Sequence, residues 1–315
     1  MEQQVVEPGA DRRSASAPEL IPSRPMRMRT ETLPLKRFDA GHGEHCAVLL
    51  HGLGGTHRYW TCGPVSFALS GHRTVLLDLL GFGESPKPWF RYSVERHVAA
   101  LHASLAGERS VTLVGHSLGA ALALAYAARY PSVVRRLVLI SLPNFGGAEG
   151  AVAWFARQRG GWIYTNMWAT ALACILTRRV VGHLLPRLLR DIPREVAEDL
   201  VAHNMVSSTS SLWEVLYRHD LRAEAEATAQ ILPVLMLHGS ADLTAPLAGA
   251  QELATAHSTW EMRVLCGVDH HPWLRAPQEC LQHIEQWLSR LSEQAPVSPA
   301  EPGDRAAGLG VRVHP

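Results

Sequence analysis

The sequence predicts an α/β protein built on a mostly parallel, doubly wound sheet. Three observations carry this. Six short apolar runs recur along the chain, each ended by Gly, Ser or a polar turn. Helical patterns fall between them. One long stretch without strand character interrupts the series.

The runs are CAVLLHG (46–52), TVLLDLLG (74–81), SVTLVGHS (110–117), RLVLISL (136–142), LPVLMLHG (232–239) and EMRVLCG (261–267). Continuous apolar runs of this length mark strands buried on both faces, as in parallel sheets. Ahead of them, TETLPLKRFDAG (30–41) alternates enough to predict an opening hairpin. SVERHVAALHASLA starts with a Ser cap and carries Glu95 two residues on, close to a capping box. APQECLQHIEQWLSRL has proline in its first turn and Leu281, Ile284, Trp287 and Leu288 on one face. Strand and helix in alternation argue for parallel strands joined by crossover helices.

The alternation fails between RLVLISL and LPVLMLHG. AVAWFARQ, MWATALACILTRRVVGHLLPRLLR and VAEDLVAHNMVSSTSSLWEVLYRHDL all read as helices. They predict a helical insertion over residues 144–228, a small second domain above a core made of 28–143 and 229–291. Residues 1–27 and 292–315 are rich in Pro, Ala, Gly and charge and read as disordered tails.

Composition bounds the function. At 315 residues and 47% hydrophobic content, the chain can bury a substantial core. A net charge of +1 offers no bulk attraction to nucleic acid. The five cysteines, Cys46, Cys62, Cys174, Cys266 and Cys280, are scattered and form no metal-like cluster. They read as reduced thiols of a cytosolic protein. The N-terminus lacks the apolar core of a secretory signal. MWATALACIL, at ten residues, is too short to span a bilayer; it reads as a buried helix ahead of one that faces a lipid surface. The expectation is a cytoplasmic protein acting on a small-molecule substrate, with no nucleic-acid partner and no stable membrane insertion. Oligomeric state is not legible.

Chemistry centres on LVGHSLGAALALAYA (113–127). Ser117 stands between Gly115 and Gly119, after a strand-like run and before an alanine-rich helical one. A G-x-S-x-G match alone is common. In strand–turn–helix context it describes a sharp elbow that lifts a hydroxyl out at the carboxyl end of a sheet. Serine is a weak nucleophile at neutral pH. It needs a base within hydrogen-bond reach, and the base needs an orienting carboxylate. The loop SADLTAP after the fifth run offers Asp242. The loop VDHHPWLRAP after the sixth offers His270 or His271.

These motifs together resemble the α/β-hydrolase superfamily, in its capped, esterase-like branch, over about residues 30–291. HGLGG, DLLGFGES, the serine elbow, GSADLTAP and an H-x-P-x-L-x-x-P stretch occur in the family's order. In the last stretch, only His270 brings Pro272, Leu274 and Pro277 into register. The resemblance implies the α/β-hydrolase fold, with a helical cap inserted after the sixth strand. It implies Ser117 as nucleophile, His270 as general base and then acid, and Asp242 as its orienter. The backbone amides of Leu53 and Leu118 would form the oxyanion hole. No cofactor or metal is implied.

Other candidates take structural roles. His51 reads as a hydrogen-bonded turn residue. Asp78 braces its own loop. Asp269 adjoins His270 but points elsewhere. Asn144, in SLPNF, stands where some relatives carry the acid and cannot supply a charge. His116 and His271 read as elbow and loop residues that border the pocket at most.

A serine at the elbow favours acyl transfer and hydrolysis of an ester through an acyl-enzyme. Thioester or carbon–carbon bond hydrolysis runs on the same triad, and a non-catalytic ligand receptor shares the fold. The insertion holds nine Lys/Arg and nine Asp/Glu, and so shows no overall charge preference. Its Trp154, Phe155, Trp162, Tyr164, Trp168 and Trp213 suggest a pocket for a small-to-medium apolar or aromatic group.

Overall fold

The computed structural model of the chain describes residues 33–181, 192–202 and 204–294. A first strand, β1 (Arg37–Ala40), precedes the six apolar runs. These become β2 (His45–Leu50), β3 (His72–Leu77), β4 (Val111–His116), β5 (Val134–Ile140), β6 (Val234–Gly239) and β7 (Trp260–Leu265). They form one sheet in the order β1-β3-β2-β4-β5-β6-β7. β1 runs antiparallel to β3 and every other pair is parallel.

Central strands are buried along their whole length, as continuous apolar runs require. β4 and β6 have no position open to solvent. The edge strand β7 leaves Val264 exposed. Between the strands lie α1 (Arg58–Thr61), α2 (Val94–Ser104) and α3 (Leu118–Arg129). α3 carries ten buried residues, nearly all Ala, Leu or Gly, because it packs between the sheet and its helical neighbours. Small side chains let helix and sheet approach closely.

The opening segment contributes one strand among the described residues, not a hairpin. Its backbone explains this. Pro34 has no N–H to donate. The amides of Leu35 and Lys36 donate instead to the hydroxyls of Ser104 (2.6 Å) and Ser85 (2.8 Å). The helical insertion therefore follows the fifth strand of the described sheet, not the sixth.

Described residues of the insertion contain no strand. They form α4 (Ala148–Ala156), a 3₁₀ turn (Gly161–Thr165), α5 (Met167–Leu176) widening into a π-type turn (Thr177–Val181), and α6 (Arg194–Ala202). Then come α7 (Met205–Ser211), widening over Leu212–Tyr217, and α8 (Leu221–Ala229). Ala151, Phe155, Leu212, Val215 and Tyr217 share one apolar cluster with Leu137 and Leu139 of the sheet. The sequence reading of α5 as buried does not hold. Thr170 alone is buried in it, because the helix packs against the preceding 3₁₀ turn and α7 on one side only.

The last elements are α9 (Leu247–Ala256), α10 (Pro272–Arg275) and α11 (Pro277–Gln294). α11 buries Cys280, Ile284, Trp287 and Leu288 against the sheet, with Leu281 and Leu291 half-buried beside them. It runs to Gln294, past the expected boundary at residue 291. Of the expected tails over 1–27 and 292–315, residues 292–294 close α11 and the rest lie outside the described residues. Among the described residues, no helix is long and apolar enough to cross a membrane.

Candidate active site

Ser117 sits at the junction of β4 and α3 with φ 53° and ψ −114°. A non-glycine residue rarely holds positive φ, and the strain costs on the order of 1–3 kcal/mol. Close packing imposes it. A Cβ on Gly119 would stand 2.4 Å from the Leu50 carbonyl oxygen, and one on Gly115 2.3 Å from that of Gly119. Only glycine lets β2, β4 and α3 converge there. The Ser117 amide donates to Ile140 O at 2.9 Å, which ties the elbow to β5.

The structure brings Ser117, His270 and Asp242 together from loops after β4, β7 and β6. Ser117 Oγ donates to His270 Nε2 at 2.9 Å, and His270 Nδ1 donates to Asp242 Oδ2 at 2.8 Å. All three are buried. The other Asp242 oxygen accepts the amides of Thr244 and Ala245, both at 2.8 Å. Burial pushes the Asp242 carboxyl up. The bonds from His270 and the Ala245 amide outweigh this and hold it below the usual range. His238 lies 3.4 Å from Asp242 Oδ2 and donates to Ala245 O at 3.2 Å. Burial keeps its pKa low, so it supports the loop as a neutral ring.

The remaining acids and histidines have other partners. Asp269 accepts from the His271 amide and from Arg275, both at 2.9 Å. Asp78 accepts the His57 amide at 2.7 Å, the His57 ring at 3.0 Å and the Glu84 amide at 2.8 Å, and so braces its turn. His51 Nε2 accepts the Leu79 amide at 2.9 Å and Nδ1 donates to Gly52 O at 2.7 Å, which leaves no free nitrogen. Asn144 donates to Gly249 O at 2.9 Å.

His116 does more than the sequence suggested. Its Nε2 donates to the His270 carbonyl at 2.8 Å, and its ring stacks on Tyr59 at 4.5 Å. Burial, then the His270 and His271 rings, hold its pKa well below the ordinary value. It is a neutral strut beneath the His270 loop. His271 borders the cavity without reaching Ser117, and burial lowers its pKa to about 4.

A cavity of about 340 Å³ opens over Ser117 and His270. Gly52, Leu53 and Ser117 lie at its base. Among the described residues, the amides of Leu53 and Leu118 meet no protein acceptor. The Leu118 side chain is buried in the apolar core, and that of Leu53, half-buried, packs against it. Among the described residues, no group of three or more His, Cys, Asp or Glu side chains is disposed to hold a metal ion.

From the insertion, Phe155, Gln158, Tyr164, Val196, Leu200, Leu212 and Leu216 line the cavity. Of the six aromatics expected there, Phe155 and Tyr164 are in place and four are not. Trp154 turns its indole to Leu243 O at 3.1 Å. Trp213 packs on Tyr217, with ring centroids 5.0 Å apart. Trp162 and Trp168 are exposed. Helix rotation decides which side chains face inward, and aromatic content does not report it. The aliphatic 3.6-residue spacing of Val196 and Leu200, and of Leu212 and Leu216, was the available signal. Tyr59, also in the lining, had no signal beyond its place after HGLGG.

The sequence matches the alpha/beta hydrolase fold family over residues 48–267. An uncharacterized protein of Mycobacterium tuberculosis is 27% identical over 274 residues, covering 79% of this chain and 76% of that protein. A bromoperoxidase from Bacillus anthracis superposes with a TM-score of 0.64 at 19% identity, covering 80% of this chain and 94% of that one. A thermophilic esterase from Thermogutta terrifontis does so with a TM-score of 0.63 at 19% identity, covering 82% and 93%. With the match spanning more than half its length, the chain belongs to the alpha/beta hydrolase fold family.

Proposed function

We propose that the protein is a serine hydrolase that cleaves an ester of a small-to-medium apolar or aromatic substrate. One observation carries this reading. The continuous hydrogen-bond chain from Asp242 through His270 to Ser117 ends at an apolar cavity lined also by Leu53, whose amide, like that of Leu118, meets no acceptor among the described residues. His270 Nε2 takes the Ser117 proton as Oγ attacks the ester carbonyl carbon. The oxyanion forms against the amides of Leu53 and Leu118, each worth on the order of 3 kcal/mol in the transition state. His270 then protonates the leaving alkoxide, and the carbon–oxygen bond breaks to leave an acyl-serine. Water, deprotonated by His270, attacks the acyl carbon. Collapse releases the acid and returns the proton to Ser117. Asp242 orients the imidazole and stabilises its charged form.

The lining supports the substrate class. Phe155, Val196, Leu200, Leu212 and Leu216 offer no charge to a ligand, and a volume of about 340 Å³ lies at the small end for ligand pockets. The test is labelling by a fluorophosphonate probe, followed by turnover of p-nitrophenyl esters of graded chain length. Wild type labels and Ser117→Ala does not. Equal labelling of the two, or no labelling of wild type, overturns the reading.

A further inference from the structure

We infer that α5 and the 3₁₀ turn before it form a docking face for an anionic phospholipid surface. This goes beyond the hydrolase reading and does not depend on it.

The first observation is an exposed apolar stripe. Trp168 is 83% exposed, Leu172 56%, Ile175 37% and Leu176 50%. Spacings of four, three and one put them on one face of the helix. Trp162, in the preceding turn, is 66% exposed. A water-soluble surface rarely gathers side chains this large in one place without a use for them.

The stripe is held firmly. Asn166 caps α5 by accepting the amides of Trp168 (2.9 Å) and Ala169 (3.3 Å). Thr170 Oγ1 donates to Ile163 O at 2.7 Å and binds the turn to the helix. Tyr164, in that same turn, lines the cavity above Ser117, and its carbonyl accepts the Tyr217 hydroxyl at 3.0 Å. The turn that exposes Trp162 therefore also contributes a side chain to the cavity wall.

The second observation is charge. Residues 150–181 contain Arg157, Arg159, Arg178 and Arg179 and no Asp or Glu. All four are exposed, and among the described residues none has an acidic partner. Elsewhere in the insertion, Arg194, Arg218 and Arg222 each pair with a glutamate. The equal totals of basic and acidic residues hide this segregation. Tryptophan and leucine on one helix face, flanked in sequence by arginines with no acidic partner among the described residues, suit the interface of a bilayer carrying negative headgroups. A second copy of the chain fits less well, because a two-fold contact through this face would set the same arginines against one another.

The test uses the full chain carrying Ser117→Ala, so that no turnover complicates binding. Co-sedimentation is measured with phosphatidylcholine vesicles and with vesicles containing 30 mol% phosphatidylglycerol. The expected result is at least tenfold tighter binding to the anionic vesicles, weakened by salt. Leu172→Ser with Ile175→Ser lowers binding to both vesicle types about tenfold. Arg178→Ser with Arg179→Ser removes the anionic preference. If the apolar pair does not fold by circular dichroism, Trp168→Ser alone carries the same comparison. Absence of binding to either vesicle, or wild-type binding by the variants, overturns the proposal. So does a dimer in light scattering that the apolar pair makes monomeric without any vesicle binding, which assigns the face to a second copy. Fluorophosphonate labelling of wild type is read separately, so the hydrolase proposal stands or falls on its own result.

Discussion

The loops at the carboxyl ends of the strands and the helical insertion meet at one cavity but are built by different rules. In the loops, each chemical group is fixed by buried bonds. Asp242 holds two amides and one histidine, and His116 holds the backbone of His270. In the insertion, the cavity wall is mostly apolar packing with few polar anchors, and the face that α5 turns to solvent is apolar. The contrast teaches where each property resides. Reaction geometry demands sub-ångström placement, which a sheet and its strained elbow supply. Choice of substrate and of surface demands only shape and charge, which helices can carry loosely.

Substitutions at the loops should therefore cost orders of magnitude, and substitutions in the insertion should cost factors. Ser117→Ala or His270→Ala lowers ester turnover by on the order of 10⁶, read as kcat. His271→Ala retains activity, and the reverse ranking of the two histidines breaks the proposed triad. Gly119→Ala puts a methyl against Leu50 O and destabilises by about 3 kcal/mol or more in urea unfolding. Leu212→Trp fills the cavity from the insertion. It lowers kcat/KM for longer esters by about tenfold while sparing acetyl esters, measured across a chain-length series.

A smaller effect separates core from insertion by pH. His97, on α2, is buried, and its Nε2 lies 3.0 Å from Ser211 Oγ of the insertion. Burial lowers its pKa to about 3. The unfolded chain takes up this proton first, near pH 6.5, so unfolding free energy falls as pH drops from about 6.5 toward 3. The slope from this residue is at most about 1.4 kcal/mol per pH unit. His97→Gln should flatten the fall in urea midpoint between pH 7 and 5. The smallest effect is at Trp162→Ser, which changes stability by less than about 0.5 kcal/mol because the side chain packs on little.

The six strands were legible because a sheet covered on both faces leaves its central strands little room for polar positions, so each keeps a continuous apolar run. The insertion was legible as helical, but its inward faces were not. Trp168 and Leu212 look alike as apolar letters, yet one faces solvent and the other the cavity. Helix rotation is set by neighbours the sequence does not name. The opening hairpin failed for a related reason, since the hydroxyls of Ser85 and Ser104 took the amides a second strand would have used.

By itself the sequence determined the fold class, the order of the motif loops and the candidate residues Ser117, Asp242 and His270. Local patterns suffice for these, because buried strands, glycine elbows and motif spacing are written in adjacent letters. Only the tertiary structure decided that His116 braces His270, which aliphatic side chains wall the cavity, and that α5 turns its tryptophan outward. Those depend on contacts between residues far apart in the chain, and their energies exist only once the sheet and helices have packed.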